Sequence, residues 1–307
     1  MMLIGSILDL IVLWASGRWL LPHVQRFLEA HGRTEPNYLG ITIPRGMGIL
    51  IWLLIGLQEM LLQSLLLFEP IWHDFMLWSG LYEDQINRGI ELLEIIEAAF
   101  RMYAFAVTVI FLLGWTDDLI GNKSVKGLRG HWRYCRDSGA ISMGAVKAVG
   151  TFTVSVWLIM TQQHGKIPIW EMGIDLLLLT LSTNALNLLD VRPGRSLKVF
   201  LFATLAIGLG CSVWEVTQLL CPIVPAIIGG LLLYRNDVKA RGMLGDAGAN
   251  LLGFTLGYGM TMVLPLEVKI CLILVLSYLH KQAETSSLTK IIEQNRFLNW
   301  LDRLGRT

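Results

Sequence analysis

Asp117-Asp118, Asp190 and Asp246 stand where apolar stretches give way to basic loops, each beside glycine, asparagine or lysine. A carboxylate next to hydrocarbon is costly and marks a functional position by default. Carboxylate oxygens gathered among lysines and arginines suit a hard divalent cation that bridges to phosphates. The chemistry these residue types point to is phosphoryl transfer at a membrane.

The pair lies in Gly114-Trp115-Thr116-Asp117-Asp118-Leu119-Ile120-Gly121. Two acids at a helix C-terminus oppose the helix dipole, so a positive partner is expected, with Mg²⁺ the natural one. One carboxylate could then bind the metal while the other accepts a proton. The plain alternative is the start of a solvated loop. Lys126, in Lys126-Gly127-Leu128-Arg129-Gly130-His131, supplies a point charge for phosphate, and its glycines let backbone approach an anion. An ordinary basic loop reads equally well, with His131 a surface histidine.

Asn184, Asn187 and Asp190 recur every three residues and so share one helix face. A polar face on an apolar helix looks into a cavity, or else it fastens two helices together. Arg192-Pro193-Gly194-Arg195 follows and offers two guanidiniums to a phosphate or lipid headgroup. Asp246, in Gly245-Asp246-Ala247-Gly248-Ala249-Asn250, opens another helix. It is a metal-ligand candidate and equally a good helix cap, and its glycines allow close backbone approach.

The elements that must position these groups are apolar. Of 307 residues 54% are hydrophobic and 16% charged, with mean hydropathy +0.56. Such a composition fits an all-α polytopic membrane bundle. About nine spans are expected: 2–21, 45–67, 96–115, 141–160, 171–189, 197–213, 219–234, 248–264 and 267–280. The first reads as a retained helix. Residues 69–93, with Trp72, Trp78 and Tyr82, suit an interfacial helix or loop.

Alternate connections are basic, which sets the N-terminus outside and every acid cluster on the cytoplasmic face of a plasma membrane. Residues 1–283 read as one transmembrane catalytic domain. Residues 284–307 read as a cytoplasmic amphipathic tail with Leu288, Ile291, Ile292, Leu298 and Leu301 as its apolar candidates. It is expected on the headgroups, with docking across the cytoplasmic mouth the alternative. A net charge of +1 gives no reason to expect nucleic acid. Cys135, Cys211, Cys221 and Cys271 form no metal or disulfide pattern.

Taken in order, four stretches resemble the polyprenyl-phosphate sugar-1-phosphate transferases, which include phospho-N-acetylmuramoyl-pentapeptide transferase and N-acetylglucosamine-1-phosphate transferases. They are Asn37-Tyr38 with Ile43-Pro44-Arg45-Gly46-Met47-Gly48; Asp117-Asp118 with Lys126-Gly127-Leu128; Asn184-Ala185-Leu186-Asn187-Leu188-Leu189-Asp190; and Gly245-Asp246-Ala247-Gly248, with Asn236 ten residues before that aspartate. The family run after Asp190 usually continues Asp-Gly-x-Asp-Gly, where this chain has Val191-Arg192-Pro193-Gly194, and the family's His-rich segment has no counterpart.

The resemblance implies transfer of a sugar 1-phosphate from a UDP-N-acetylhexosamine-type donor to polyprenyl phosphate, with release of UMP, in cell-envelope glycan synthesis such as peptidoglycan. It implies Mg²⁺ at Asp246, with Asp118 or Asp190 near. Asp117 would accept the proton from, or orient, the lipid phosphate, Lys126 would bind phosphate, Asn236 would help seat the nucleoside, and Asn187 would bind substrate. The partners expected are the bilayer, the UDP-sugar and polyprenyl phosphate, and a homodimer is admitted. The departures keep a second expectation open: a catalytically degenerate relative that binds prenyl lipid or scaffolds envelope-synthesis partners. A transporter with acids as ion relays fits less well, because these acids lie at span ends.

Overall fold

A computed structural model describes residues 2–121, 127–163, 167–210 and 213–306. In chain order the elements are α1 (Met2–Ala30), the antiparallel hairpin β1 (Thr34–Pro36) and β2 (Thr42–Pro44), α2 (Ile49–Leu67), α3 (Glu69–Trp78), α4 (Glu83–Ile120) and α5 (Gly127–Ser138). There follow α6 (Met143–Gln163), α7 (Ile169–Leu189), α8 (Arg195–Gly210), α9 (Val213–Val238), α10 (Gly245–Val263), α11 (Leu266–Thr285), α12 (Leu288–Gln294) and α13 (Arg296–Arg303).

Among the described residues the chain is all-α apart from the three-residue strands of the hairpin. The nine expected stretches lie mainly on helices, 45–48 preceding α2, and among the described residues four helices are long and apolar enough to cross a membrane: α2, α4, α6 and α7. Residues 69–93 divide between α3 and the start of α4. Glu83 and Asp84 in the first turn of α4 favour the helix dipole, so that helix runs 38 residues and extends well beyond the apolar stretch 96–115.

Helix α10 is the axis of the bundle. Nearly every residue from Gly245 to Thr261 is buried, and its main neighbours are α7 and α4, with α9 and α8 beside it. Its sequence explains how α2, α4 and α7 reach it. Gly248 meets Gly48 just before α2, where a methyl group would lie 2.7 Å from the Gly48 Cα. Gly114 of α4 faces Ala247, and a methyl there would lie 2.6 Å from the Ala247 Cα. Gly253 and Gly257 lie against the backbone of α7 at Ser182–Thr183 and Leu179. Among lipid tails no hydrophobic force selects one helix contact over another, so small residues that allow backbones to touch do. The outward layer is ordinary apolar surface, for example Ile11, Phe105, Phe202 and Leu274.

At the bundle end away from the aspartates, Lys269 of α11 donates to Asp175 Oδ1 of α7 at 2.7 Å and to the Thr261 carbonyl at 2.8 Å. The tail is tied down too. Asn295 caps α13 by accepting from the amides of Phe297 and Leu298. The buried carboxylate of Asp302 pairs with Arg195 of α8 at 2.8 Å. The tail thus docks by a charged side, while Phe297, Leu298 and Trp300 remain exposed.

The glycine contacts are testable. A methyl at Gly253 would sit 2.5 Å from the Ser182 carbonyl oxygen, whereas one at Gly56 meets nothing within 4 Å. Gly253→Val is expected to destabilise by about 2–3 kcal/mol. Gly56→Ala is expected to leave stability unchanged or raise it by up to about 1 kcal/mol. Thermal midpoints in detergent measure both.

Candidate active site

The aspartates meet at one end of the bundle, and the first connection helps to hold them there. Asn37 closes the hairpin turn, its Oδ1 accepting from the amides of Leu39 and Ile41, while its Nδ2 donates to the Ala240 carbonyl at 3.0 Å. Ala240 is in the left-handed region at φ 49, a conformation that a non-glycine residue adopts only when its surroundings hold it. Next, the Met243 amide donates to the Pro44 carbonyl at 2.8 Å, and the amides of Gly46 and Met47 donate to the Met243 carbonyl. These backbone bonds zip the α1–α2 connection to the α9–α10 connection. They fix Arg45 over the N-terminus of α10.

Asp118, at the end of α4, is almost fully buried with its side chain 2% exposed. Its Oδ1 accepts from the Asp246 amide at 3.2 Å and its Oδ2 from the Ala247 amide at 3.1 Å. A carboxylate from α4 therefore caps α10, where unpaired amides and the positive dipole end favour an anion. Arg45 Nη2 completes the arrangement at 2.6 Å from Asp118 Oδ1 and 3.7 Å from Asp246 Oδ1, with Glu35 on its other arm. Arg33 donates to the Asp118 carbonyl at 3.0 Å and lies over the Trp115 ring. Capping, the plain alternative for Asp246, is performed by Asp118 instead.

That leaves Asp117 and Asp246 facing a shared space. Lys147, one turn into α6, places Nζ 2.7 Å from Asp117 Oδ2 and 2.9 Å from Asp246 Oδ2. Asn187 of α7 donates weakly to the same Asp246 oxygen at 3.4 Å. Helices α4, α6, α7 and α10 each contribute one group. The side chains of Asp117 and Asp246 are 19% and 29% exposed, so a small polar ligand can reach them.

Asp190 is the C-cap residue of α7. Desolvation, reinforced by the neighbouring charges of Asp237, Asp246 and Asp118, pushes its carboxyl well above the ordinary carboxylate range. Asp237, at the end of α9, accepts from the Gly194 amide at 2.7 Å. Asn236 lines a narrow space with Met47, Asp237 and Leu244, behind the carboxylate group. Arg192 reaches Glu293 at 3.6 Å, and Arg195 is engaged by Asp302. Lys126 lies outside the described residues, as do the side chains of Leu128, Arg129 and His131.

The sequence reading passed over three charged groups of this end of the bundle as site residues: Arg45, Lys147 and Asp237. Lys147 carried a usable signal, because it stands in the apolar run Gly144-Ala145-Val146-Lys147-Ala148-Val149. An intramembrane cation asks for a partner just as an intramembrane acid does.

No group of three or more His, Cys, Asp or Glu side chains able to hold a metal is formed among the described residues. Mg²⁺ is ordinarily held by one or two carboxylates, with phosphates and water completing its shell. Asp117 and Asp246, two hard oxygen donors converging on one point, fit that demand. Asp118 is less free, since both of its oxygens are engaged.

A family model described as glycosyl transferase family 4 matches residues 100–264, more than half of the chain. The chain belongs to that family. The matched region includes α10 and both faces of the Asp117–Lys147–Asp246 cluster. Comparison with curated proteins found no match.

The two neighbouring aspartates should separate by their effect on stability. Asp118→Asn leaves Arg45 with a weakened buried partner and α10 with a poorer cap, a loss of about 3 kcal/mol or more. Asp117→Asn, at a position 19% exposed and with Lys147 still paired to Asp246, should cost less, about 1 kcal/mol. Thermal unfolding of the two purified variants distinguishes them, and equal losses would contradict these roles.

Proposed function

We propose that this glycosyl transferase family 4 member transfers a sugar 1-phosphate from a UDP-N-acetylhexosamine-type donor to polyprenyl phosphate and releases UMP. The observation that carries this reading is the convergence of Asp117 and Asp246, from separate helices, on one cationic point at the end of an apolar bundle. In the reaction an oxygen of the lipid phosphate attacks the sugar-bearing phosphorus of the donor. The bond from that phosphorus to the bridging oxygen breaks, and UMP leaves with the bridging oxygen. A polyprenyl diphosphate sugar remains.

Such a displacement asks chiefly for positioning and for neutralisation of charge. Asp246 and Asp117 would hold Mg²⁺, with Asp118 behind them as the group that fixes Asp246. When bound, the ion neutralises diphosphate charge. Asp117 also lies where it can orient the incoming lipid phosphate or take its proton. Lys147 and Arg45 supply positive charge to the same space, Lys147 swinging from the carboxylates to phosphate oxygens as substrate arrives. Asn187 steadies Asp246, and Asp190, whose carboxyl is held well above the ordinary range by burial and neighbouring acids, would ionise more readily with a cation bound nearby. Lys126 is assigned to phosphate. Asn236 is assigned to the nucleoside, with Arg192 as the guanidinium of its loop free enough to approach an anion.

The same reading gives about nine spans with the N-terminus outside and the carboxylate end at the cytoplasmic face of the plasma membrane. It makes residues 1–283 the catalytic unit and 284–307 a cytoplasmic tail. The basic connections support that orientation, and envelope glycans, peptidoglycan among them, are the natural destination of the product.

A second reading, a non-catalytic relative that binds prenyl lipid or scaffolds partners, draws support from one observation: Lys147 and Arg45 satisfy the carboxylates without any added ion. Turnover separates the two. The protein in undecaprenyl-phosphate-containing nanodiscs, given several UDP-sugars, should release UMP only with Mg²⁺ and stop when EDTA is added. Asp117→Asn and Asp246→Asn should each lower the rate by at least about a hundredfold at normal expression. Unimpaired transfer by both variants would refute the assignment.

A further inference from the structure

We propose that the C-terminal tail is a brace for the candidate site, with Asp302 a positioning residue that holds the 190–195 loop and, through it, Asp190. The proposal rests on the transferase reading and extends it to a segment outside the matched region, more than a hundred residues from that loop. The short connection between α7 and α8 is gripped from two sides. On the α9 side, the Gly194 amide donates to Asp237 at 2.7 Å, Gly194 itself adopting φ +74.

On the tail side, Arg306 Nε donates to the Pro193 carbonyl at 2.7 Å, and Arg192 reaches Glu293 at 3.6 Å. Arg195 meets Asp302 through two parallel bonds, Nε to Oδ1 at 2.8 Å and Nη2 to Oδ2 at 3.0 Å. Arg306 adds two more bonds to the same carboxylate, at 2.9 and 2.7 Å. Lys198 Nζ donates to the carbonyls of Leu301 and Asp302 at 3.0 and 2.8 Å, a cation at the C-terminal end of α13 where the dipole favours it.

Two arguments separate a brace from a tail resting on lipid. A tail held by headgroups alone would leave its charges in the headgroup layer. Here Asp302 and Arg195 are 9% and 4% exposed, so the charged side of the tail is buried against the bundle. Paired forks of this kind also fix geometry as well as add attraction, and burying them is costly unless every partner is present. Burial opposes ionisation of Asp302, yet the hydrogen bonds from Arg195 and Arg306 prevail and hold its carboxyl at about 2. A depressed value means the stabilisation is present above about pH 4 and lost only as pH falls towards 2. Near neutrality the brace is permanent, not a switch. Asp302 touches no reacting group; its effect on turnover passes through Arg195 and Pro193 to the residue three positions earlier.

The test uses the full chain in nanodiscs, with two readouts: hydrogen exchange of peptides covering 190–198, and kcat and KM for the UDP-sugar. In Asp302→Asn the loop amides should exchange faster while those of α10 stay unchanged. Turnover should fall about tenfold in kcat with donor KM within twofold, the signature of misplacement over lost affinity. Asp302→Glu should recover most of both. If Asp302→Asn does not fold, Arg306→Gln, which removes the Pro193 contact, carries the same comparison. Unchanged loop exchange overturns the brace, and so does faster exchange with unchanged kcat. Absence of UMP release from the unaltered protein would instead fell the transferase reading, leaving exchange alone to judge the brace.

Discussion

Everything at the polar end of this molecule depends on how closely other helices can approach α10. Four small residues on or beside that helix, Ala247, Gly248, Gly253 and Gly257, let backbones touch backbones. The end of α4, the start of α2 and the last turns of α7 then arrive within side-chain reach of Asp246. A methyl group at Gly248 or Gly253 would lie 2.7 or 2.5 Å from a backbone atom of the facing segment, so that segment would have to move away. Steric permission therefore comes first and electrostatics second: the carboxylates do not assemble the bundle, they are assembled by it.

The charges around Asp246 are then paired with one another. Glu35, Arg45, Asp118, Asp246, Lys147 and Asp117 form one connected line from the hairpin to α6. Buried charge of this sort contributes little net stability, because desolvation offsets much of the attraction. What it supplies is a definite position for each oxygen. Asp118 spends its two oxygens on α10, which leaves Asp246 free to present its own carboxylate outward.

Much of this was legible in the sequence. Apolar runs marked the helices, and the position of each aspartate at the end of a run placed them at the same end of the bundle. The division of labour between Asp117 and Asp118 was not legible, since adjacent acids on a helix end look alike until the partner helix is known. Arg45 was hidden among basic residues that orientation alone explains. The tail was half visible: its apolar residues suggested a lipid surface, while the buried role of Asp302 depends on Arg195, 107 positions away. Pairings over such distances leave no local periodicity to read. The long α4 was cut short for a related reason, because acids at a helix start extend it without adding hydropathy.

Asp118 has one more consequence. By capping α10 from α4 while pairing with Arg45 of the hairpin, it joins three segments into a single cooperative block, in which none can open without breaking the bonds of the others. On the opposite flank, among the described residues, Asp246 meets Lys147 at 2.9 Å and Asn187 through a long 3.4 Å contact. Anchorage and charge balance are thus divided: α4 and the hairpin hold the amide end of α10 in place, while the cation from α6 neutralises the carboxylate that this end displays.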